Sequence, residues 1–207
     1  MPRVRSFPPI ADARARILIL GSMPGKASLA AGQYYAHPQN LFWRILGELT
    51  GADPASSYAA RVRALKTQGI ALWDVLASCA RVGSLDSAIE ETTIRVNDFA
   101  AFYRAHPQIA QVFFNGAKAE ACYRKQVLPA LGNAAPAPSY RRLPSTSPAH
   151  ASVSRAHKLR LWLQALRQAD GSMRRVPGAV KDENMPERIA ARRARSRVPG
   201  PTTRGDR

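Results

Sequence analysis

Cysteine is scarce: Cys79 and Cys122 are the only two in 207 residues. Two are too few for a disulfide scaffold, a four-cysteine zinc site or an iron–sulfur cluster. Long apolar runs are missing too. Stretches such as Ile17 to Leu20 and Val112 to Phe114 fall far short of the roughly 18 residues a membrane-spanning helix needs. Arg3 and Arg5 have no apolar run behind them, so the N-terminus does not read as a secretory signal. The four histidines, His37, His106, His150 and His157, show no metal-ligand spacing. These absences predict a cytoplasmic chain with no membrane segment and no metal site.

Acidic residues are also few, 14 against 31 Lys and Arg, for a formal net charge of +17 and a pI near 11.1. Such an excess favours a polyanionic partner. The hydrophobic share of 45% still supports a real core. The charge divides the chain. Residues 1–170 carry 21 basic and 10 acidic side chains, a net +11, and the remaining 171–207 carry 10 and 4, a net +6. The second segment has almost no large apolar residues and is punctuated by Pro177, Pro186, Pro199 and Pro201. It reads as a basic disordered tail with at most a helical turn or two near Glu187 to Arg197, behind a domain spanning 1–170.

Within that domain the pattern alternates. Arg16 to Leu20, ended by Gly21, reads as a buried central strand. Leu41, Phe42, Ile45, Leu46 and Leu49 have helical spacing closed by Gly51, and Tyr58 to Gln68 is a second helix followed by the run Ile70 to Val75. Asn97 is placed to cap a helix through His106. Ile109 to Phe114 is the strongest strand, Ala117 to Val127 a helix, and Tyr140 to Leu143 a last strand. Ser152 or Ser154 then caps a helix with the apolar stripe Leu159, Trp162, Leu163 and Leu166. The first dozen residues, with Pro2, Pro8 and Pro9, read as irregular. Alternating strands and helices predict a parallel sheet covered on both faces, with ligands at the carboxyl ends of its strands.

Four segments concentrate expensive side chains at those ends. Gly21-Ser22-Met23-Pro24-Gly25-Lys26 follows the first strand but lacks the spacing of a phosphate-binding P-loop and of a G-x-S-x-G nucleophile elbow. Gln33 to Trp43 packs Tyr34, Tyr35, His37 and Asn40 between a strand and a helix. Aromatics there suit stacking on a base, and Asn40 serves equally as a helix cap or as a holder of water. Asn115 closes the buried strand, either as a plain turn residue before Gly116 or as an amide facing the ligand crevice. Ser145-Thr146-Ser147-Pro148-Ala149-His150 precedes the last helix and suits phosphate contact, or is an ordinary Ser-Pro turn.

In order along the chain, GSMPG at 21–25, QYYAHPQNLFW at 33–43, ALWDVLASCARVGSLD at 71–86, VNDF at 96–99, FFNG at 113–116 and STSPAH at 145–150 resemble the uracil-DNA glycosylase superfamily. The similarity is strongest to its hypoxanthine (deoxyinosine) branch. It implies a three-layer α/β/α sandwich with a mostly parallel sheet of about four strands. It also implies hydrolysis of the bond between a deaminated base and deoxyribose without metal or cofactor, by a monomer acting on DNA, at the nucleoid if the source is bacterial. Tyr35 then matches the aromatic that stacks on the flipped base, Asn115 the strand-end amide that contacts the base edge, and Asn40 the catalytic Asn of the hypoxanthine branch. Ser145, Ser147 and His150 lie in the loop that presses into DNA. Two positions depart from the relatives. Met23, beside the base, stands where the mismatch-specific uracil enzymes carry a water-activating Asn, and Ser145 stands where the classical enzymes carry a His that steadies the leaving base.

Hypoxanthine and uracil both present a carbonyl acceptor beside a ring N–H donor, whereas adenine presents the reverse. An Asn115 amide locked in one orientation would prefer the deaminated edge; a freely flipping one would not. Neither Lys26 nor Lys118 is clearly suited to a Schiff base, so a monofunctional enzyme is expected. The competing readings are a uracil or mismatch-specific glycosylase, a non-catalytic DNA-binding protein on the same fold, and a hydrolase using Ser22 or Ser147 with a His.

The tail carries a prediction of its own. Each phosphate it neutralises adds roughly 0.9 to the log–log salt slope of DNA binding. Truncation after Asp170 should flatten that slope by a few units at most and leave cleavage of saturated substrate nearly unchanged. Binding titrations of both lengths across a salt series, beside saturated cleavage rates, measure this; identical slopes would make the tail inert.

Overall fold

The computed structural model describes residues 3–132 and 138–169. The basic tail and the helical turn expected in it lie outside the described residues.

Four parallel strands carry the architecture: β2 (Ile17–Gly21), β3 (Ile70–Asp74), β6 (Gln111–Asn115) and β7 (Ser139–Leu143), in the spatial order β3-β2-β6-β7. The middle strands are apolar on both faces because both faces are covered, as a parallel sheet requires. Every residue of β2 and β3 is buried. Helix α2 (Phe42–Thr50) packs against both α3 (Tyr58–Thr67) and α7 (Arg155–Ala169), and α3 packs against β3. Helices α4 (Phe99–Ala105) and α5 (Ala117–Cys122), the latter continued by a π turn over Tyr123–Val127, meet through the Tyr103 and Tyr123 hydroxyls, 2.6 Å apart. Helix α1 (Lys26–Ala31) follows β2, and the short α6 (Leu128–Leu131) follows the π turn. The expected parallel α/β sheet of about four strands is thus present, with Gly51 in the left-handed conformation that ends α2.

Four local expectations need correction. The first residues are not wholly irregular: β1 (Arg3–Arg5) pairs antiparallel with β4 (Leu76–Ala80), which in turn pairs with β5 (Arg95–Val96), making a second sheet. The prolines fall outside the paired residues of β1, so its ladder loses no donor. The cap of α4 is Asp98, which accepts the Ala101 N–H at 2.8 Å; Asn97 instead donates to the Asp74 carbonyl at 2.8 Å. The helix after β6 loosens into the π turn at Tyr123. On α7, capped by Ser154, the buried face is Lys158, Trp162, Ala165 and Leu166, while Leu159 and Leu163 are only half-buried. A buried lysine took a place that hydrophobic spacing assigned to leucine, because carbonyls of the preceding loop satisfy its ammonium.

Loss of the true cap should register in stability. Asp98→Ala should lower the unfolding free energy by about 1 kcal/mol, read by denaturant titration. An unchanged midpoint would show that the Asp98 bond contributes nothing net.

Candidate active site

Parallel register brings three strand ends together. Gly21 lies level with Asp74, Leu20 with Phe114, and Asn115 with Leu143, so β2, β3 and β6 end side by side. At the centre, Gly21 has no room for a side chain. A Cβ there would collide with Asp74 Oδ1 and stand 2.9 Å from the Tyr35 hydroxyl oxygen.

Tyr35 reaches that point through backbone strain. Its φ of 54° is the single positive value for a non-glycine among the described residues, a conformation that costs about 1–3 kcal/mol. The neighbouring segment holds it there. Tyr34 is buried; its hydroxyl donates toward the Phe7 and Pro8 carbonyls, and its own carbonyl accepts the Trp43 indole N–H at 2.8 Å. Phe42 stacks on the Tyr35 ring at 4.2 Å. Tyr35 is only half-buried as a whole, yet its hydroxyl is sealed; it makes no well-formed hydrogen bond among the described residues, and the Asn115 side chain is the hydrogen-bonding group that interacts with it. Burial, reinforced by Asp74, pushes that hydroxyl well above its ordinary pKa.

Asn115 is fixed by Thr146. The Thr146 main-chain N–H donates to Asn115 Oδ1 at 2.8 Å, and Asn115 Nδ2 donates to Thr146 Oγ1 at 2.9 Å. A main-chain N–H can only donate, so the atom facing it is the amide oxygen and the orientation is determined. Both residues are buried. The Tyr35 hydroxyl interacts with this side chain as well.

The loop that supplies Thr146 is anchored from three sides. Trp162 Nε1 donates to the Pro144 carbonyl at 2.8 Å, and Lys158 Nζ donates to the Ser147 and His150 carbonyls. Leu41 N–H donates to the Thr146 carbonyl at 3.1 Å, which ties this loop to the aromatic segment. Burial, with Arg155 adding to it, pulls the Lys158 pKa down. Within the loop Ser145 Oγ accepts the Ser147 N–H and Ser147 Oγ accepts the Ala149 N–H, each at 3.3 Å. Ser145 packs against Gly116, whose φ of 104° a side chain would strain. His150 is half-buried, with its Nε2 3.3 Å from Ser152 Oγ.

Asn40 and Met23 complete the residues singled out in the sequence. Asn40 is half-buried, and its Oδ1 accepts the Phe42 N–H at 3.0 Å. Asn40 therefore caps α2 only from outside: Leu41 is the N-cap residue, without a side-chain cap, and Asn40, one residue earlier, commits one lone pair of its oxygen to the first helical N–H. Met23 is buried in the turn after β2.

Sequence reasoning gave no individual role to Asp74, Arg81, Asp86 or Lys158, and read Thr146 only as one of the hydroxyls suited to phosphate contact. Asp74 is buried and its carboxyl is raised to about 8, chiefly by burial and then by Asp86, with Arg81 opposing. Asp86 is also raised by burial, against the pull of its bond from the Ser22 hydroxyl at 2.6 Å. Arg81 is buried and donates to the Pro24 carbonyl. A visible signal for Asp74 was its standing as the one acid inside the apolar run Ile70 to Val75. Lys118 is bonded to Glu91; burial lowers its pKa, but that bond and its charge outweigh burial and raise it overall. Among the described residues, no three His, Cys, Asp or Glu side chains gather as a metal site, and no helix is long and apolar enough to cross a membrane. The Ser22 and Ser147 hydroxyls are bonded to Asp86 and to main chain, not to a histidine ring.

Known proteins share this arrangement of chain. The sequence model of the uracil DNA glycosylase superfamily matches residues 8–169. A protein of Methanosarcina barkeri named hypoxanthine DNA glycosylase is 44% identical over 115 residues, 55% of this chain and 72% of its own. One of the same name from Methanosarcina acetivorans is 40% identical over 116 residues, 56% and 72% of the two chains. A solution NMR structure of a Methanosarcina acetivorans protein superposes with a TM-score of 0.67 at 33% identity, covering 81% of this chain and 99% of the other. With a family match across nearly all of the described residues, and relatives this similar over most of their own length, the chain belongs to the uracil DNA glycosylase superfamily.

Proposed function

We propose that this chain is a monofunctional DNA glycosylase that extrudes a deaminated base, hypoxanthine foremost, and hydrolyses its glycosidic bond to leave an abasic site. The observation that carries this reading is the fixed amide of Asn115 beside Tyr35 at the strand ends. With its polarity set by Thr146, Asn115 offers a donor to a base carbonyl and an acceptor to a ring N–H. The deaminated edge matches both, and the adenine edge meets like with like. The names of the two Methanosarcina relatives support the same substrate.

A base inside the duplex is unreachable, so extrusion comes first, at a few kcal/mol of unstacking. The exposed part of the Tyr35 ring returns about 1–3 kcal/mol by stacking on the flipped base. Bond breaking then builds oxocarbenium-like charge on the sugar. Asn40, whose oxygen is oriented by the Phe42 N–H, holds the attacking water with its remaining lone pair. A neutral amide is a weak base, so its contribution is positioning and electrostatics. Met23 closes the pocket beside the base as an apolar wall, and the loop bearing Ser145, Ser147 and His150 rests on the DNA. Lys118, held as a cation by Glu91, is a phosphate partner rather than a Schiff-base nucleophile. The enzyme acts as a monomer in the cytoplasm, on nucleoid DNA if bacterial, and residues 171–207 add a basic tail to a catalytic domain of residues 1–170.

Purified protein should release hypoxanthine from an oligonucleotide in EDTA, with abasic product visible after alkaline cleavage. Folded protein that binds the DNA and releases nothing would make the chain a non-catalytic binder on this fold. Asn40→Ala should lose about 1 kcal/mol of stability with its cap and about 10²-fold in single-turnover rate. Asn40→Ser, which restores a capping oxygen, should recover the melting temperature but not the rate. Recovery of both would reduce Asn40 to a cap.

A further inference from the structure

Two buried polar groups meet at the strand ends: Asp74 Oδ2, with no hydrogen-bond partner among the described residues, and the Tyr35 hydroxyl, with no well-formed bond and only the Asn115 side chain interacting with it. Both belong to side chains that converge on the Cβ position of Gly21. Buried polar atoms left unsatisfied are rare and expensive, and cluster where a ligand completes them. The approach to this point is costly from both directions. Tyr35 adopts a left-handed backbone to bring its hydroxyl there, and Gly21 gives up a side chain to leave space. Neither expense serves the core, which closes around Leu18, Ile19 and Leu20 below.

We propose that Asp74 is a further catalytic residue, an acid that donates its proton to the departing purine, with the Tyr35 hydroxyl as the second hydrogen-bonding group beside it at the strand ends. This rests on the glycosylase reading above. Asp74 ends β3 on one side of Gly21 and Asn115 ends β6 on the other, so a base held by Asn115 lies across the point where Asp74 waits. Ser145 Oγ accepts the Ser147 N–H and its own O–H remains a donor, but an alcohol is a far weaker acid than a carboxyl group. Asp74 is therefore the stronger proton donor at these strand ends.

The step balances without a co-reactant. The bond between C1′ and N9 breaks, and its electron pair goes to the purine. The Asp74 O–H delivers its proton to a ring nitrogen of the purine, and water adds to C1′ as its second proton restores the Asp74 acid. Burial is the main reason the carboxyl stays protonated near neutrality. The groups facing it set the balance: Asp86 adds negative charge, Arg81 opposes it without forming an ion pair to Asp74, and the Tyr34 and Tyr35 hydroxyls are neutral. The folded pKa of about 8 exceeds the unfolded value of 3.8, so the folded state disfavours the carboxylate. Stability linked to this group is full below the unfolded value and is lost as pH rises through the folded one.

That sign separates a catalytic acid from a structural one. Asp74→Asn keeps the shape and a donor N–H but has no proton to give and no charge to bury. It should cut single-turnover release of hypoxanthine by about 10²-fold or more. It should leave affinity for abasic-site DNA unchanged, and melt at or above the wild-type temperature at pH 8. In the wild type, kcat/KM for a hypoxanthine oligonucleotide should fall above pH about 8; in Asp74→Asn that limb should be gone. A variant as fast as wild type with the same pH profile would overturn the proposal and leave the glycosylase reading standing. A wild-type profile flat across pH 8 would overturn it even where the variant does not fold. No release by the wild type at any pH would fell both.

Discussion

Gly21 ends the central strand where Asp74 Oδ1 and the Tyr35 hydroxyl both crowd the position a side chain would take, and the rest of the site is arranged around that vacancy. Because β2 is paired on both sides in parallel, its carboxyl end is bordered by the ends of β3 and β6, and their last residues are Asp74 and Asn115. The arrangement is unfavourable in isolation: an acid is desolvated, a tyrosine is strained and two buried polar atoms lack a well-formed hydrogen bond. The strand beneath offsets it. Each fully buried Leu or Ile contributes about 1.5–3 kcal/mol, and β2 and β3 are buried from end to end. A local strain of about 1–3 kcal/mol at Tyr35 is tolerable on such a base.

Much of this was legible in the sequence because the core strands speak through composition. Ile17 to Leu20 and Val112 to Phe114 are continuous apolar runs closed by Gly21 and Asn115, which is how a strand buried on both faces reads. The order of motifs then placed Tyr35, Asn40 and Asn115 near one another, and the structure does bring the Tyr35 hydroxyl, from its loop, to the end of β2 and the Asn115 side chain. What stayed hidden depends on contacts distant in the chain. Asp74 reads as an acid in a strand until Gly21, 53 residues earlier, turns out to leave it no partner. Lys158 reads as a polar residue beside an apolar stripe until the carbonyls of Ser147 and His150 are seen to hold it. The β1 pairing was missed because three residues with two arginines carry no hydrophobic alternation.

The last loop shows how a surface segment can be made rigid without a core of its own. Its residues are mostly small, and within STSPAH only Thr146 is buried. Rigidity comes from outside: an indole N–H on Pro144, an ammonium on two carbonyls, and a β-strand amide on Thr146. Lys158 is the costly member, since burial penalises its charge. A buried ammonium is retained only when hydrogen bonds replace its water, and two carbonyls from one turn do so while fixing that turn's shape. Leu41 extends the constraint to the segment that bears Asn40 and Tyr35.

The amide of Asn115 is where this rigidity becomes chemical information. An unrestrained Asn presents donor and acceptor in either order and so accepts either a deaminated base or adenine. Discrimination requires that one order be much cheaper than the other, and the difference must come from a group that cannot itself adapt. The Thr146 hydroxyl could rotate to suit either order, because it both donates and accepts. The Thr146 main-chain N–H has no such freedom: flipping the amide would set two donors face to face in a buried site, at about 1–3 kcal/mol for the unsatisfied group. On the proposed reading of Asn115 as the base-contacting amide, specificity is held by the backbone of the last loop rather than by a side chain. Its strength depends on how firmly Lys158 and Trp162 keep that backbone in place, so residues that never approach the base help decide which base is read.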